Sequence, residues 1–295
     1  MSDFILSCCS TADQDQKFYD SRNIKFLCFH FMLDGVDYPD DLGKSMSFDK
    51  FYKAMENGSD TRTSQPNVDE YINYFTPFLE DGKDVLHLCL SSGISGAVNS
   101  ARIAADELSA KYKDRKIYVV DSLAASAGFG LLMDKLADLR DEGKDIDEIR
   151  IFAEDNKKKL NHWFFTSDLT YLVRGGRVSK AAGFFGTALS ICPLLNVDYE
   201  GKLIAREKIR TKKKVIAECE QKMEELAEGR LNYNGKVFIS NAYCPEDARV
   251  LADIIESRFK NLAEPVKITS IGTTIGSHTG PGTVALFFWG DERYN

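Results

Sequence analysis

The sequence predicts a two-domain α/β protein: an N-terminal domain with a mostly parallel sheet flanked by helices, and a C-terminal domain with a mixed or antiparallel sheet and its own helices. Three observations predict it. The chain has 295 residues, long for one core and comfortable for two. Its first half alternates strand-like and helix-like segments with short connections, the signature of a parallel sheet covered on both faces. In its second half several strands are joined by turns too short for a crossover, such as Asp198-Tyr199-Glu200-Gly201.

Taken in order, Phe4-Ile5-Leu6-Ser7 reads as a short strand followed by the loop Cys9-Ser10-Thr11-Ala12-Asp13. Ile24 to Phe31 is an apolar run, and Leu33-Asp34-Gly35-Val36-Asp37-Tyr38 makes a turn. Val68 to Leu79 has helical spacing. Asp84 to Leu90 is a buried strand that runs into Ser91-Ser92-Gly93-Ile94-Ser95-Gly96. The helix after it carries Val98, Ala101, Ala105, Leu108 and Tyr112 on one stripe. Lys116 to Val120 is the next strand, and a helix bearing Phe129, Leu132, Leu136 and Leu139 ends at Gly143. A further helix covers about Asp147 to Leu160. The second half predicts strands at His162–Thr166, Ile191–Val197, Leu203–Arg210, Lys236–Asn241, Val266–Ile271 and Val284–Trp289. Helices at Lys212–Glu228 and Pro245–Phe259 fall between them. The domain boundary is placed near His162, giving domains of 1–161 and 162–295.

Composition narrows the function classes. At 43% hydrophobic and 28% charged, with a net charge of −7, the chain is an ordinary acidic globular protein. It lacks the basic footprint of a nucleic-acid binder, so nucleic acid is not an expected partner. The N-terminus has no basic region and no apolar core of signal length, and no uncharged run approaches membrane-span length. Seven cysteines, several in apolar stretches, predict reduced thiols and a cytoplasmic location.

Four segments have the residue types that bind or react. In Thr63-Ser64-Gln65-Pro66 the proline keeps Gln65 out of the helical region; the bland reading is an N-cap and turn for the next helix. Ser91 to Gly96 joins a buried strand to a helix whose first turn offers free N–H groups, a setting that holds anions. It matches neither G-x-S-x-G nor a P-loop. Gly128-Phe129-Gly130 sits inside a helix and is discarded as a dinucleotide fingerprint. Ile271 to Gly282 is a glycine-rich connection carrying His278. A lone histidine implies neither metal nor acid–base chemistry, and His30, His87 and His162 lie in apolar runs that suit structural roles. No Cys/His spacing suggests zinc, and adjacent Cys8-Cys9 is poor chelate geometry. Finally, Arg206, Lys208 and Arg210 alternate along a strand before Lys212-Lys213-Lys214. This is a solvated face or a patch that steers an acidic partner.

In this order the segments resemble the DegV family of bacterial fatty-acid-binding proteins. The matching pieces are Ser10-Thr11-Ala12-Asp13, Asp34-Gly35-Val36-Asp37-Tyr38, Phe51-Tyr52, Thr63-Ser64-Gln65-Pro66 and Leu90-Ser91-Ser92-Gly93-Ile94-Ser95-Gly96. They continue with Asp121-Ser122, Arg174-Gly175-Gly176-Arg177-Val178-Ser179, Glu207 to Lys214, and His278-Thr279-Gly280-Pro281-Gly282. Each piece is weak alone; the ordered set spans nearly the whole chain.

The resemblance implies a long-chain fatty acid bound between the two domains as ligand, with no other cofactor. It implies a carboxylate held by Thr63, Ser95 and His278, with Ser64 and Gly96 beside them. It further implies a non-catalytic lipid-binding subunit that presents the carboxylate to an ATP-binding fatty acid kinase subunit, docked on Arg206, Lys208 and Arg210. The chain departs from the family pattern at Cys9, at Leu27-Cys28-Phe29-His30-Phe31, at Ala97-Val98 and at Cys192, which bears on acyl-chain preference. Two alternatives stay open at this point. One is a serine acyl hydrolase using Ser95 and His278, although no acidic residue is placed to orient the histidine. The other is a regulatory module that docks through the basic strand.

Overall fold

The computed structural model of the protein describes residues 4–179 and 191–295; Met1 to Asp3 of the N-terminal stretch read above lie outside the described residues. The strands are β1 Phe4–Cys9, β2 Ile24–Leu27, β3 His30–Leu33, β4 Val36–Pro39, β5 Thr61–Ser64, β6 Asp84–Cys89, β7 Ile117–Asp121, β8 Leu160–Phe165, β9 Ile191–Val197, β10 Leu203–Arg210, β11 Phe238–Asn241, β12 Lys267–Ser270 and β13 Val284–Trp289. The helices are α1 Gln16–Ser21, α2 Phe48–Glu56, α3 Val68–Glu80, α4 Ala97–Lys111, α5 Ser126–Asp141, α6 Ile146–Asn156, α7 Thr170–Arg174, α8 Lys212–Leu226, α9 Pro245–Arg258 and α10 Thr273–Thr279.

Among the described residues the strands form three sheets. The N-terminal sheet is parallel throughout, in the order β2-β1-β6-β7. The C-terminal sheet, β10-β9-β8-β13-β11-β12, is antiparallel except for the β11–β12 pair, and so is mixed as the short turns require. A small antiparallel sheet, β4-β3-β5, was not separated in the sequence reading. The apolar run from Ile24 to Phe31 divides there: β2 joins the parallel sheet and β3 joins the small one.

Helix α5 lies between the two large sheets. It contacts β8, β11 and β13 of the mixed sheet while belonging to the core of the parallel one. It is buried around nearly its whole circumference, from Ala127 through Phe129, Leu131, Leu132 and Met133 to Leu136 and Ala137. The discarded Gly128-Phe129-Gly130 gains a packing explanation here. A Cβ on Gly128 would lie 2.5 Å from His162 Nε2, and one on Gly130 would lie 2.9 Å from the Ala12 carbonyl. Glycine lets the helix approach both neighbours.

Two sequence expectations are corrected. The cap of α3 is Asn67, whose side chain accepts from Glu70 N–H while Glu70 reaches back to the Asn67 N–H. Thr63 and Ser64 are therefore free of capping duty and belong to β5. The glycine-rich connection after Ile271 contains helix α10, whose entry is braced by buried carboxylates. Asp13 accepts from Gly272 N–H at 2.9 Å and Asp40 accepts from Thr273 Oγ1 at 2.8 Å. Burial pushes both carboxyls upward; Ser126 and Gly272 oppose it at Asp13, while Thr274, Thr273 and Ser10 oppose it at Asp40.

The cysteines are all unpaired, and all but Cys28 are buried. Among the described residues no group of three His, Cys, Asp or Glu side chains is placed to hold a metal ion. No described helix is long and apolar enough to cross a membrane.

Candidate functional site

A cavity of about 320 Å³ opens where β5, the β6–α4 loop, α10 and the inner faces of β8, β9 and β13 meet. Phe29, Phe164, Leu172, Val197, Leu203 and Phe287 are among the apolar residues that line it. A few polar groups gather in the same wall. This is the composition of a site for a mainly apolar ligand with one polar end.

The structure brings together Thr63, Ser64, Ser95, Gly96 and His278, all of which line this cavity. Thr63 comes from β5, held in register by its pairing with Phe31 of β3. Its Oγ1 lies 2.7 Å from His278 Nε2. Ser95 Oγ donates to Gln65 Oε1 at 3.2 Å and accepts from Ala97 N–H at 3.2 Å, so it caps the entry of α4 from outside the helix. Its reach to Gln65 ties the Thr-Ser-Gln-Pro segment to the serine loop.

His278 is neutral at pH 7: burial pushes its pKa down to about 4, and the charges of Arg177 and Arg174 push the same way. Its Nδ1 has no hydrogen-bond partner and packs against Gly175, where an added Cβ would sit 2.2 Å away. Arg177 also lines the cavity. Its guanidinium donates to the carbonyls of Ile94 and Gly175, and among the described residues it has no carboxylate partner. A cationic group of this kind beside a neutral imidazole favours an anionic ligand.

Thr63, Arg177 and His278 form a partition. On their other side is a second depression of about 410 Å³ lined by Asp60, Thr61, Arg62, Arg174, Gly175 and Ser277. The apolar cavity thus ends at a polar wall whose outer face carries arginines.

The hydrolase arrangement is not formed. His278 spends its Nε2 contact on Thr63, Ser95 bonds Gln65 and the α4 backbone, and among the described residues no carboxylate orients the imidazole.

The basic strand stands apart from the cavity. A β-bulge between Ala205 and Glu207 interrupts the alternation read from the sequence. Arg206 turns to Asn196 Oδ1 at 2.8 Å and stacks over the Tyr294 ring. Lys208 and Arg210 remain exposed on this edge strand.

Sequence reasoning missed four contributors. His162, read as structural, is buried and lines the cavity from β8, with burial holding its pKa well below the usual range. Arg177 sits in a segment noted only as part of a motif. Thr274 and Ile275 were hidden in what read as an irregular glycine-rich stretch; the helix that presents them has too few residues for a periodic signal.

Comparison with known proteins places the chain among relatives of one kind. A family model described as "Uncharacterised protein, DegV family COG1307" matches residues 9–291. A DegV domain-containing protein of Clostridium perfringens is 36% identical over 294 residues, covering 99% of both chains. A crystal structure described as a DegV lipid binding protein from Thermotoga maritima is 29% identical, with a TM-score of 0.84 over 99% of this chain and 100% of that one. A structure described as showing fatty acid binding of a DegV family protein from Thermus thermophilus is 26% identical, with a TM-score of 0.87 over 98% and 99% of the two chains.

Proposed function

The chain belongs to the DegV family, and on that premise we propose that it holds one long-chain fatty acid in the cavity and presents the carboxylate to an ATP-dependent kinase subunit. The observation that carries the proposal is the partition at Thr63 and His278: an apolar cavity on one side, an arginine-lined opening on the other.

Each methylene buried in the cavity contributes about 0.8 kcal/mol, so an acyl chain supplies the affinity. The carboxylate must not be left dry. Thr63 and His278, bonded to each other, and Ser95, bonded to Gln65, would turn their donors to the carboxylate, and the field of Arg174 and Arg177 favours the anion. In this reading Thr63 and Ser95 come from an N-terminal domain of 1–161 and His278 from a C-terminal domain of 162–295, so the acid bridges the two. No cofactor beyond the acid is needed.

Presentation to a kinase fits the second depression, since Arg62 and Arg174 beside the carboxylate would attract a phosphoryl donor. Lys208 and Arg210 offer a separate basic edge where an acidic face of that subunit would dock. The protein itself supplies no chemical step; its role is to desolvate, orient and expose one oxygen.

The test is mass spectrometry of an organic extract from the purified protein, followed by incubation of the loaded protein with ATP and a fatty acid kinase subunit. A stoichiometric fatty acid and its conversion to acyl-phosphate support both halves. An empty extract with no uptake of added fatty acid overturns the lipid reading, and a loaded protein that is never phosphorylated overturns the hand-off alone.

A further inference from the structure

We propose that Cys9 and Cys89 are a peroxide-oxidisable thiol pair, with Cys9 as the attacked sulfur and Cys89 as the thiol that resolves it into a disulfide. The parallel register of β1 and β6 sets Phe4 against Asp84 and Ser7 against His87. Both strands run two residues further, to Cys9 and Cys89, and the same register continued sets these two side by side on the sheet face of Ser7 and His87. In-register neighbours of this kind have Cα atoms within disulfide range.

Around them is an arrangement that suits a reactive thiol. Cys9 Sγ lies 3.5 Å from His87 Nε2 and 3.4 Å from the Tyr71 hydroxyl. His87 Nδ1 is 2.8 Å from Ser7 Oγ, which is 2.9 Å from the Tyr74 hydroxyl, so the imidazole is held from behind. A sulfur, an imidazole and a third group orienting that imidazole are the parts of an activated nucleophile. Burial raises both thiols, but the neighbouring Cys89 thiol, the charge of His87 and the Tyr71 hydroxyl draw Cys9 below its ordinary range, while Cys89 stays above it. Cys8 points to the opposite face and is raised by burial and by the Cys9 charge.

The pair is fully buried, which excludes a protein oxidant but not a molecule close to water in size. Neighbours of the pair along the chain reach the cavity. Leu90, next after Cys89, lines the cavity, as does Phe29, whose N–H donates to Oγ of Ser10, next after Cys9. Hydrogen peroxide is the oxidant. His87 takes the Cys9 proton, the thiolate forms an S–O bond, the O–O bond breaks, and the departing oxygen leaves as water with that proton. Cys89 sulfur then attacks Cys9 sulfur, the S–S bond forms, and the S–O bond breaks with release of a second water carrying the Cys89 proton. The sum is two thiols and one peroxide giving one disulfide and two waters.

The test is made on the purified, reduced full chain, exposed to equimolar hydrogen peroxide while folded, then alkylated in denaturant and mapped by peptide mass spectrometry. The expected result is a Cys9–Cys89 cross-linked peptide and loss of two of the seven alkylatable cysteines. Cys89→Ser is expected to trap Cys9 as a sulfenic acid that dimedone labels. His87→Phe is expected to slow cross-linking by about tenfold or more; if its thermal melt shows a misfolded protein, His87→Gln replaces it. Full alkylation of Cys9 and Cys89 after exposure, or a cross-link to Cys8 or Cys28, overturns the assignment. An unchanged rate in the folded His87 variant removes the imidazole from it.

Discussion

Thr63 Oγ1 and His278 Nε2 are 2.7 Å apart although 215 positions separate them. The contact joins β5 to α10 across the mouth of the cavity, and the proposed carboxylate site is built on it. Removing either partner leaves a carboxylate with one donor fewer. Thr63→Ala is expected to weaken fatty acid binding by about 1.5–3 kcal/mol, the range for a hydrogen bond to a charged group, or roughly ten- to a hundredfold. Titration with a fluorescent fatty acid checks it, and unchanged affinity would remove Thr63 from the site.

The neutral state of His278 makes a signed prediction about pH. Its folded pKa of about 4 lies below the ordinary value of 6.5. Between those values the unfolded chain binds the proton and the folded chain does not, so stability of the lipid-free protein is intact above pH 6.5 and lost as pH falls toward 4. The contribution approaches about 3 kcal/mol. Asp13 and Asp40, raised by burial, act in the opposite sense, so the readout is a comparison. Denaturation of wild type and His278→Gln across pH 4 to 7 should show wild type losing stability relative to the variant as pH falls; parallel curves would contradict the assignment.

Gly175 is a steric partner of the imidazole. A Cβ there would lie 2.2 Å from His278 Nδ1, with the ring carbons close behind. Gly175 has φ near −73°, so alanine is tolerated by the backbone and the conflict falls on the ring. Gly175→Ala is expected to cut fatty acid affinity about tenfold or more while changing stability by about 1–3 kcal/mol, as overpacking does. Binding equal to wild type would show that the ring shifts without consequence.

Acyl-chain preference should respond to the cavity floor. Ala285 lies on β13 opposite Phe164 and lines the cavity. Ala285→Phe removes space for several methylenes at about 0.8 kcal/mol each. The variant is expected to retain shorter acids and lose longer ones, read from the extracted lipid profile. An unchanged profile would mean that the chain does not run past Ala285.

Charge reversal at the exposed edge of β10 should separate docking from binding. Lys208→Glu with Arg210→Glu is expected to slow acyl-phosphate formation with the kinase subunit, most strongly at low salt, and to leave fatty acid affinity within about twofold. Equal rates at all ionic strengths would place the dock elsewhere.

The elements legible in the sequence were those whose signal is local. Ile191–Val197, Leu203–Arg210 and Val284–Trp289 have the bounds read from the sequence, and Pro245 marked the start of α9 as proline at a first helical turn does. The motif segments were legible too, because small residues and hydroxyls cluster where backbone must approach a ligand. Less legible was α10, a short helix whose entry is braced by Asp13 and Asp40 from distant parts of the chain. The bulge at Arg206 was likewise invisible, since an extra residue in a ladder shows only against its partner strand.

By itself, then, the sequence determined the two α/β domains, the alternation of strand and helix, and the segments that bear Thr63, Ser95 and His278. Periodicity and turn chemistry act over a few residues, so a linear reading captures them. Only the tertiary structure decided that Thr63 meets His278, that Ser95 turns to Gln65 instead, that His162 and Arg177 join the wall, and that Cys9 lies beside His87. Those are contacts between residues far apart in the chain, and sheet register and helix packing set them. The neutrality of His278 follows from the same cause, because burial and the two arginines exist around the ring only once the chain has closed over it.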